Sequence, residues 1–192
     1  MKTHIDIWHI ELKDAARVPV ASTDRPYRLE QITRPNPAFN RYLYVSVGSA
    51  WQWYMRLPWR YSQWLEAVSR PEQQTWVAYY EGVPAGYFEL EQQAHGSVEI
   101  GYFGLVPEFI GRGFGKALLE DAISHAWQLG GQRVWLHTCS LDHPGALSNY
   151  LARGFSVFKE EHIIEDLPDE PLQPWPGAAK TDTPTALDGT TA

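Results

Sequence analysis

The sequence holds little that suits an oxidising compartment or a lipid bilayer. Cys139 is the single cysteine among 192 residues, so no intramolecular disulfide framework exists and a reducing, cytoplasmic setting is expected. Nowhere is there a run of about 18 apolar residues, the length needed to span a membrane. The opening residues M-K-T-H-I-D-I-W-H-I-E-L place Asp6 and Glu11 inside any apolar stretch, so they are not expected to act as a signal peptide. Basic residues are scarce: 16 Lys and Arg stand against 23 Asp and Glu, a formal net charge of −7. That balance argues against nucleic acid and anionic membrane as partners, because both demand basic surface. Internal repeats are also missing.

What is present is the composition of a globular chain, 44% hydrophobic and 20% charged, long enough to bury a sizeable core. Nine tryptophans are unusual, and Trp51, Trp53, Trp59, Trp64 and Trp76 fall within one short stretch. Alternating Ile5 and Ile7 predict a strand over 4–12, and a weaker alternation predicts another over 26–33. Asn36 and Pro37 suit the cap and first turn of a helix over 38–47. Ser62 is the expected cap of a short helix ending at Ser69, with Trp64, Leu65 and Val68 on one face. From residue 75, three apolar runs separated by Gly-containing turns predict an antiparallel meander. A helix over 113–129, a strand R-V-W-L-H-T, a helix from Asp142 or His143 to Arg153 and a strand F-S-V-F-K follow. The fold class is thus α+β, a mixed sheet with an antiparallel meander followed by a βαβαβ unit. Residues 1–168 form the expected domain, and 169–192, rich in Pro, Thr, Gly and Ala, a flexible C-terminal tail.

The segment V-P-E-F-I-G-R-G-F-G-K-A-L, residues 106–118, carries the most chemistry. Gly111, Gly113 and Gly115 let successive backbone N–H groups converge between a strand and a helix, and the helix adds its free amides and positive dipole end. Arg112 and Lys116 add charge, so a phosphate or pyrophosphate cradle is expected. A P-loop is excluded because Ala117 follows Lys116 and Ile110 stands where its first glycine belongs. A dinucleotide fingerprint is excluded because the spacing is G-x-G-x-G after a meander.

The stretch E-I-G-Y-F-G-L-V-P-E-F-I-G-R-G-F-G-K-A-L-L resembles the strand–loop–helix signature of the GNAT acetyltransferases. L-S-N-Y-L-A-R-G-F resembles that family's second signature, a tyrosine four residues before Gly-Phe. The likeness covers residues 75–158, and the N-terminal third matches in outline only. Ile110 stands where the family usually has Gln or Arg, and His143 where it often has Asn.

The resemblance implies a GNAT fold, acetyl-CoA or a longer acyl-CoA as donor, and a small-molecule or peptide amine as acceptor. It implies a general base at Glu99 and a general acid at Tyr150. The acyl carbonyl would meet the backbone at Leu105 and Val106, and the pyrophosphate Ile110, Gly111, Arg112, Gly113, Phe114, Gly115 and Lys116. His143 would cap its helix or touch the cofactor. An amine must lose a proton before it attacks, the thioester oxygen gains charge that an amide can stabilise, and the thiolate benefits from a proton. Trp51, Trp53, Tyr54 and Trp59 are read either as an acceptor-binding aromatic box or as a lid packed on the sheet. Arg41, Arg56, Arg60 and Arg70 would suit an acceptor carboxylate, and the acids from Glu160 to Glu170 are read as a solvated end. His137, Cys139 and His143 lack a second ligand pair, so no metal is expected. A non-catalytic acyl-CoA-binding regulatory module remains the alternative function. Exposed aromatic surface leaves a homodimer open.

Overall fold

Alternation of apolar residues every second position builds most of this molecule. The computed structural model describes residues 1–20 and 25–168, so the expected tail over 169–192 lies outside the described residues. The strands are β1 (Lys2–Leu12), β2 (Arg28–Gln31), β3 (Gln73–Tyr80), β4 (Val83–Gln93), β5 (Ser97–Leu105), β6 (Arg133–Cys139) and β7 (Ser156–Asp166). The helices are α1 (Pro37–Gly48), α2 (Tyr61–Ser69), α3 (Phe114–Gln128) and α4 (Ala146–Leu151). The described strands form one sheet in the order β2-β3-β4-β5-β6-β1-β7. β2 to β5 are antiparallel, as the meander predicts, and β5 runs parallel to β6.

One face of the sheet meets α3. Phe88, Leu90, Val98, Ile100, Val134 and Leu136 pack against Leu118, Leu119, Ala122, Ile123 and Ala126 of α3. The other face meets α1, whose Leu43 and Val47 cover Val77 and Tyr87. Burying a large aliphatic side chain contributes about 1.5–3 kcal/mol, so these two layers carry the fold. Asn36 caps α1 as expected, its Oδ1 accepting from the Phe39 amide at 3.1 Å.

Several expectations are corrected. α2 begins at Tyr61 with Arg60 as cap, because the Arg60 amide donates to Gln63 Oε1 at 2.9 Å. Leu65 on this helix is exposed, and only Trp64 is fully buried there. α4 is confined to Ala146–Leu151, because Asp142 Oδ2 accepts from Thr138 Oγ1 and the Cys139 amide and holds the preceding residues in a turn. β7 runs to Asp166, so the acids from Glu160 to Asp166 lie on a strand; Glu160 and Asp166 are exposed as expected, Glu161 and Glu165 are partly buried, and Asp169 and Glu170 lie outside the described residues. β1 lies between β6 and β7 and is antiparallel to both, so the last two strands of the βαβαβ unit are not neighbours.

Candidate active site

β5 and β6 part company early. They pair only from Ser97–Arg133 to Glu99–Trp135. Beyond that point Gly101 is bulged out of the β4–β5 ladder, where Tyr102 pairs with Glu89 and Ile100 with Leu90. A bulge bends its strand and sharpens the twist, and a cleft of about 570 Å³ opens between the two strand edges.

At one end of the cleft stands the glycine turn. Gly111 and Gly113 have φ of +81° and +82°, a conformation that L side chains rarely adopt, and a Cβ at either would meet nothing within 4 Å. Gly113 is the cap of α3 and no side chain caps that helix, so its first amides point outward without an intrahelical acceptor. Ile110, Gly111, Gly113, Gly115 and Lys116 line the cleft, as do Leu105, His143 and Tyr150. Three expected residues direct a group elsewhere. Val106 spends its amide on the Ala85 carbonyl at 2.9 Å. The Phe114 side chain is buried in the core beside Tyr27 and Tyr80, which leaves only its amide to the turn. Arg112 lies over the rings of Tyr80, Phe109 and Phe114 at 5.4–5.7 Å. Weak hydration makes a guanidinium at ease on aromatic faces, which takes this cation off the cleft wall.

Tyr150 sits between Phe103 and Phe155. Burial, with Asp142 nearby, raises its phenol well above the ordinary value, so it stays protonated. His143 lies just before α4, not within it. Its Nδ1 accepts from the Gly145 amide at 3.0 Å, and its ring meets Trp51 edge-on at 5.5 Å.

Trp51, Trp53 and Tyr54 also line the cleft, on a loop turned by Gln52 in the left-handed region at φ 58°. Trp53 packs on Tyr44 and Tyr102, and the Tyr54 hydroxyl donates to Glu165 Oε2. That bond, with burial, pushes the Tyr54 phenol up to about 12. Trp59 is not part of the wall; it packs on Trp64 and beneath Arg56. Three of the four aromatics therefore line the cleft, and Trp59 belongs to the packed layer beside it. Arg56 and Arg70 do not await a carboxylate, because Glu89 and Glu91 hold them at 2.9 Å and 2.7 Å.

Glu99 lies where the cleft begins to open, and its side chain is not on the cleft wall. Its Oε2 accepts from Gln93 Nε2 at 2.9 Å, and its Oε1 lies 4.0 Å from Nδ1 of His137, which does line the cleft. Burial, then Glu91, raises the Glu99 carboxyl above its usual range. Burial, then His9, lowers the His137 imidazole, which favours the neutral ring. In the sequence His137 stands out only beside Cys139 and His143, as a metal ligand that lacks a second pair. Nothing in the sequence points to Ile5, Ile7, Ile163 and Glu165, which reach the cleft because β1 sits beside β6. Burial and Asp142 push the Cys139 thiol up, which leaves it unreactive. Among the described residues no three His, Cys, Asp or Glu side chains gather as metal ligands, and no helix is long and apolar enough to cross a membrane.

A sheet split between parallel strands, with helix amides at the head of the split, has the geometry of an anion-binding cleft. The chain belongs to the acetyltransferase (GNAT) family, whose model matches residues 29–155. The fold resembles that of a GNAT-family protein from Novosphingobium aromaticivorans, at 16% identity and a TM-score of 0.61 over 83% of this chain and 63% of that one. It also resembles a GCN5-related N-acetyltransferase from Sphaerobacter thermophilus, at 23% identity and a TM-score of 0.60 over 83% of this chain and 50% of that one. An acetyltransferase from Bacillus subtilis, solved in complex with CoA, matches at 23% identity and a TM-score of 0.50, over 67% of this chain and 75% of that one. The chain thus spans 63% and 50% of the length of the first two. No curated protein matches it in sequence.

Proposed function

We propose that this protein transfers an acetyl group from acetyl-CoA to a primary amine by direct attack, with no covalent enzyme intermediate. The observation that carries this reading is that the left-handed glycines of the α3 turn and the protonated phenol of Tyr150 border one cleft, opened by the β5–β6 split. The amides at Gly113 to Lys116 take the pyrophosphate, and Lys116 adds charge. The thioester lies along the exposed edge of β5 near Leu105, where a main-chain amide meets the developing oxyanion. The amine enters from the Trp51–Tyr54 wall. Glu99 receives its proton through His137 or a bridging water, since 4.0 Å separates Glu99 from the cleft-lining imidazole. Tyr150 protonates the departing thiolate.

The test is calorimetry with acetyl-CoA, NAD and ATP, followed by thiol release across a panel of amines. Preference for NAD or ATP ends the reading. Binding of acetyl-CoA without thiol release from any amine supports a non-catalytic module instead. Gly113→Val should weaken CoA binding at least about tenfold, because a β-branched residue is strained at positive φ and relief of that strain re-aims the cradle. Gly82→Val is the control. Gly82 has φ +88° and equally open surroundings, but lies in the β3–β4 turn, so the same strain should leave CoA affinity unchanged. Tyr150→Phe should lower kcat by about tenfold with CoA affinity intact. The effect is modest because a thiol with a pKa of about 8.5 leaves readily unaided.

A further inference from the structure

The cleft wall is uneven in charge. Among the described residues that line it, Lys116 is the single Lys or Arg, and it stands at the glycine turn. The carboxylates of the wall are Glu165, bonded to Tyr54, and Asp142, just before His143, on a surface that also includes Ile5, Ile7, Ile163, Trp53, Met55 and Leu141. Glu165 accepts from Tyr54 through Oε2 only, and Asp142 is bonded through Oδ2 only. We infer that the acceptor is a primary amine carried on an apolar or aromatic body that bears no carboxylate. This rests on the reading that an amine is acetylated in this cleft, and narrows it.

Physical chemistry sets the sign. An ammonium arriving here finds a carboxylate oxygen and the faces of Trp53 and Trp51, and both interactions strengthen as water leaves. A carboxylate in the same place loses its water, faces Glu165 and meets no cation. Of the four arginines that could have served it, Arg41, Arg56, Arg60 and Arg70, none lines the cleft, and Arg56 and Arg70 are held by Glu89 and Glu91. The apolar wall repays burial of hydrocarbon or ring surface and penalises a second charge or a crowd of hydroxyls. A net charge of −7 draws cations toward the molecule from a distance.

The experiment titrates the CoA-saturated protein with tryptamine, tryptophan and spermidine by calorimetry and, separately, records thiol release from acetyl-CoA with each. Tryptamine should bind at least about tenfold more tightly than either of the others, and Glu165→Gln should narrow the tryptamine–tryptophan gap at least threefold with CoA affinity unchanged. Equal binding of tryptophan or spermidine, or no binding of tryptamine, overturns the inference. Thiol release that favours tryptophan or spermidine overturns it too, while leaving amine acetylation standing. Selective binding of tryptamine without thiol release from any amine upholds the ligand class and removes the acetyl-transfer reading.

Discussion

Truncating Arg56 to alanine is expected to remove about 3–5 kcal/mol of stability, with a fall in Tm on the order of 10 °C. Glu89 is 2% exposed, and Arg56 Nη1 meets its Oε2 at 2.9 Å. Gln73 Nε2 gives Glu89 one further bond at 3.2 Å, which is too little for a buried carboxylate stripped of its counter-ion. The guanidinium also lies over Tyr102 at 4.1 Å and Trp59 at 4.9 Å, so its loss leaves a void among rings. Urea or thermal unfolding measures the loss. Adding Glu89→Gln to Arg56→Met should recover most of it, because no unpaired charge is then buried. A loss below about 1 kcal/mol in the single variant would mean that water reaches the pair. Tyr102 lines the cleft and supports Trp53, so a variant that folds should also bind the acceptor less tightly.

The elements with local signals were legible. Asn36-Pro37 marked the start of α1, apolar periodicity over 113–129 marked α3, and the glycines of 111–115 marked the turn before it, because capping, periodicity and positive φ act over a few residues. What depended on strand order was not legible. Alternation over 4–12 announces a strand, but nothing in it says that Ile7 will face Cys139 and Glu161 across two ladders. With that placement Ile5, Ile7, Ile163 and Glu165 reach the cleft wall. Residues 160–166 read as solvated because acids dominate them, yet Ile163 and Glu165 alternate onto the face that meets the cleft. Arg112 and Arg56 looked like free cations because ring stacking and ion pairing across strands leave no mark in local spacing. Gly101 could have been read as a bulge, since glycine inside a strand pattern often marks one.

Replacing Glu99 by glutamine is expected to lower kcat by about 10²–10⁴-fold, the contribution of a positioned general base. Glutamine keeps an oxygen to accept from Gln93 Nε2, and Gln93 keeps its other bond, from Trp135 Nε1 at 3.0 Å, so the fold and CoA affinity should be unchanged. The pH profile separates base catalysis from mere support. A carboxyl raised above its ordinary 4.5 is protonated and idle at low pH, so kcat of the wild type should rise with pH along a limb whose midpoint lies above 4.5. His137 is lowered from 6.5, so its own ionisation adds nothing above that value. Glu99→Gln should remove the carboxyl limb and leave the residual rate flat across it. His137→Gln divides the two routes. A loss comparable to that of Glu99→Gln places the proton on the imidazole on its way inward, whereas a change within a few-fold places a water between amine and carboxylate. Wild-type kcat and an unaltered limb in Glu99→Gln would send the proton elsewhere and strip Glu99 of its role, leaving the raised carboxyl as a consequence of its neighbour Glu91 and its burial alone.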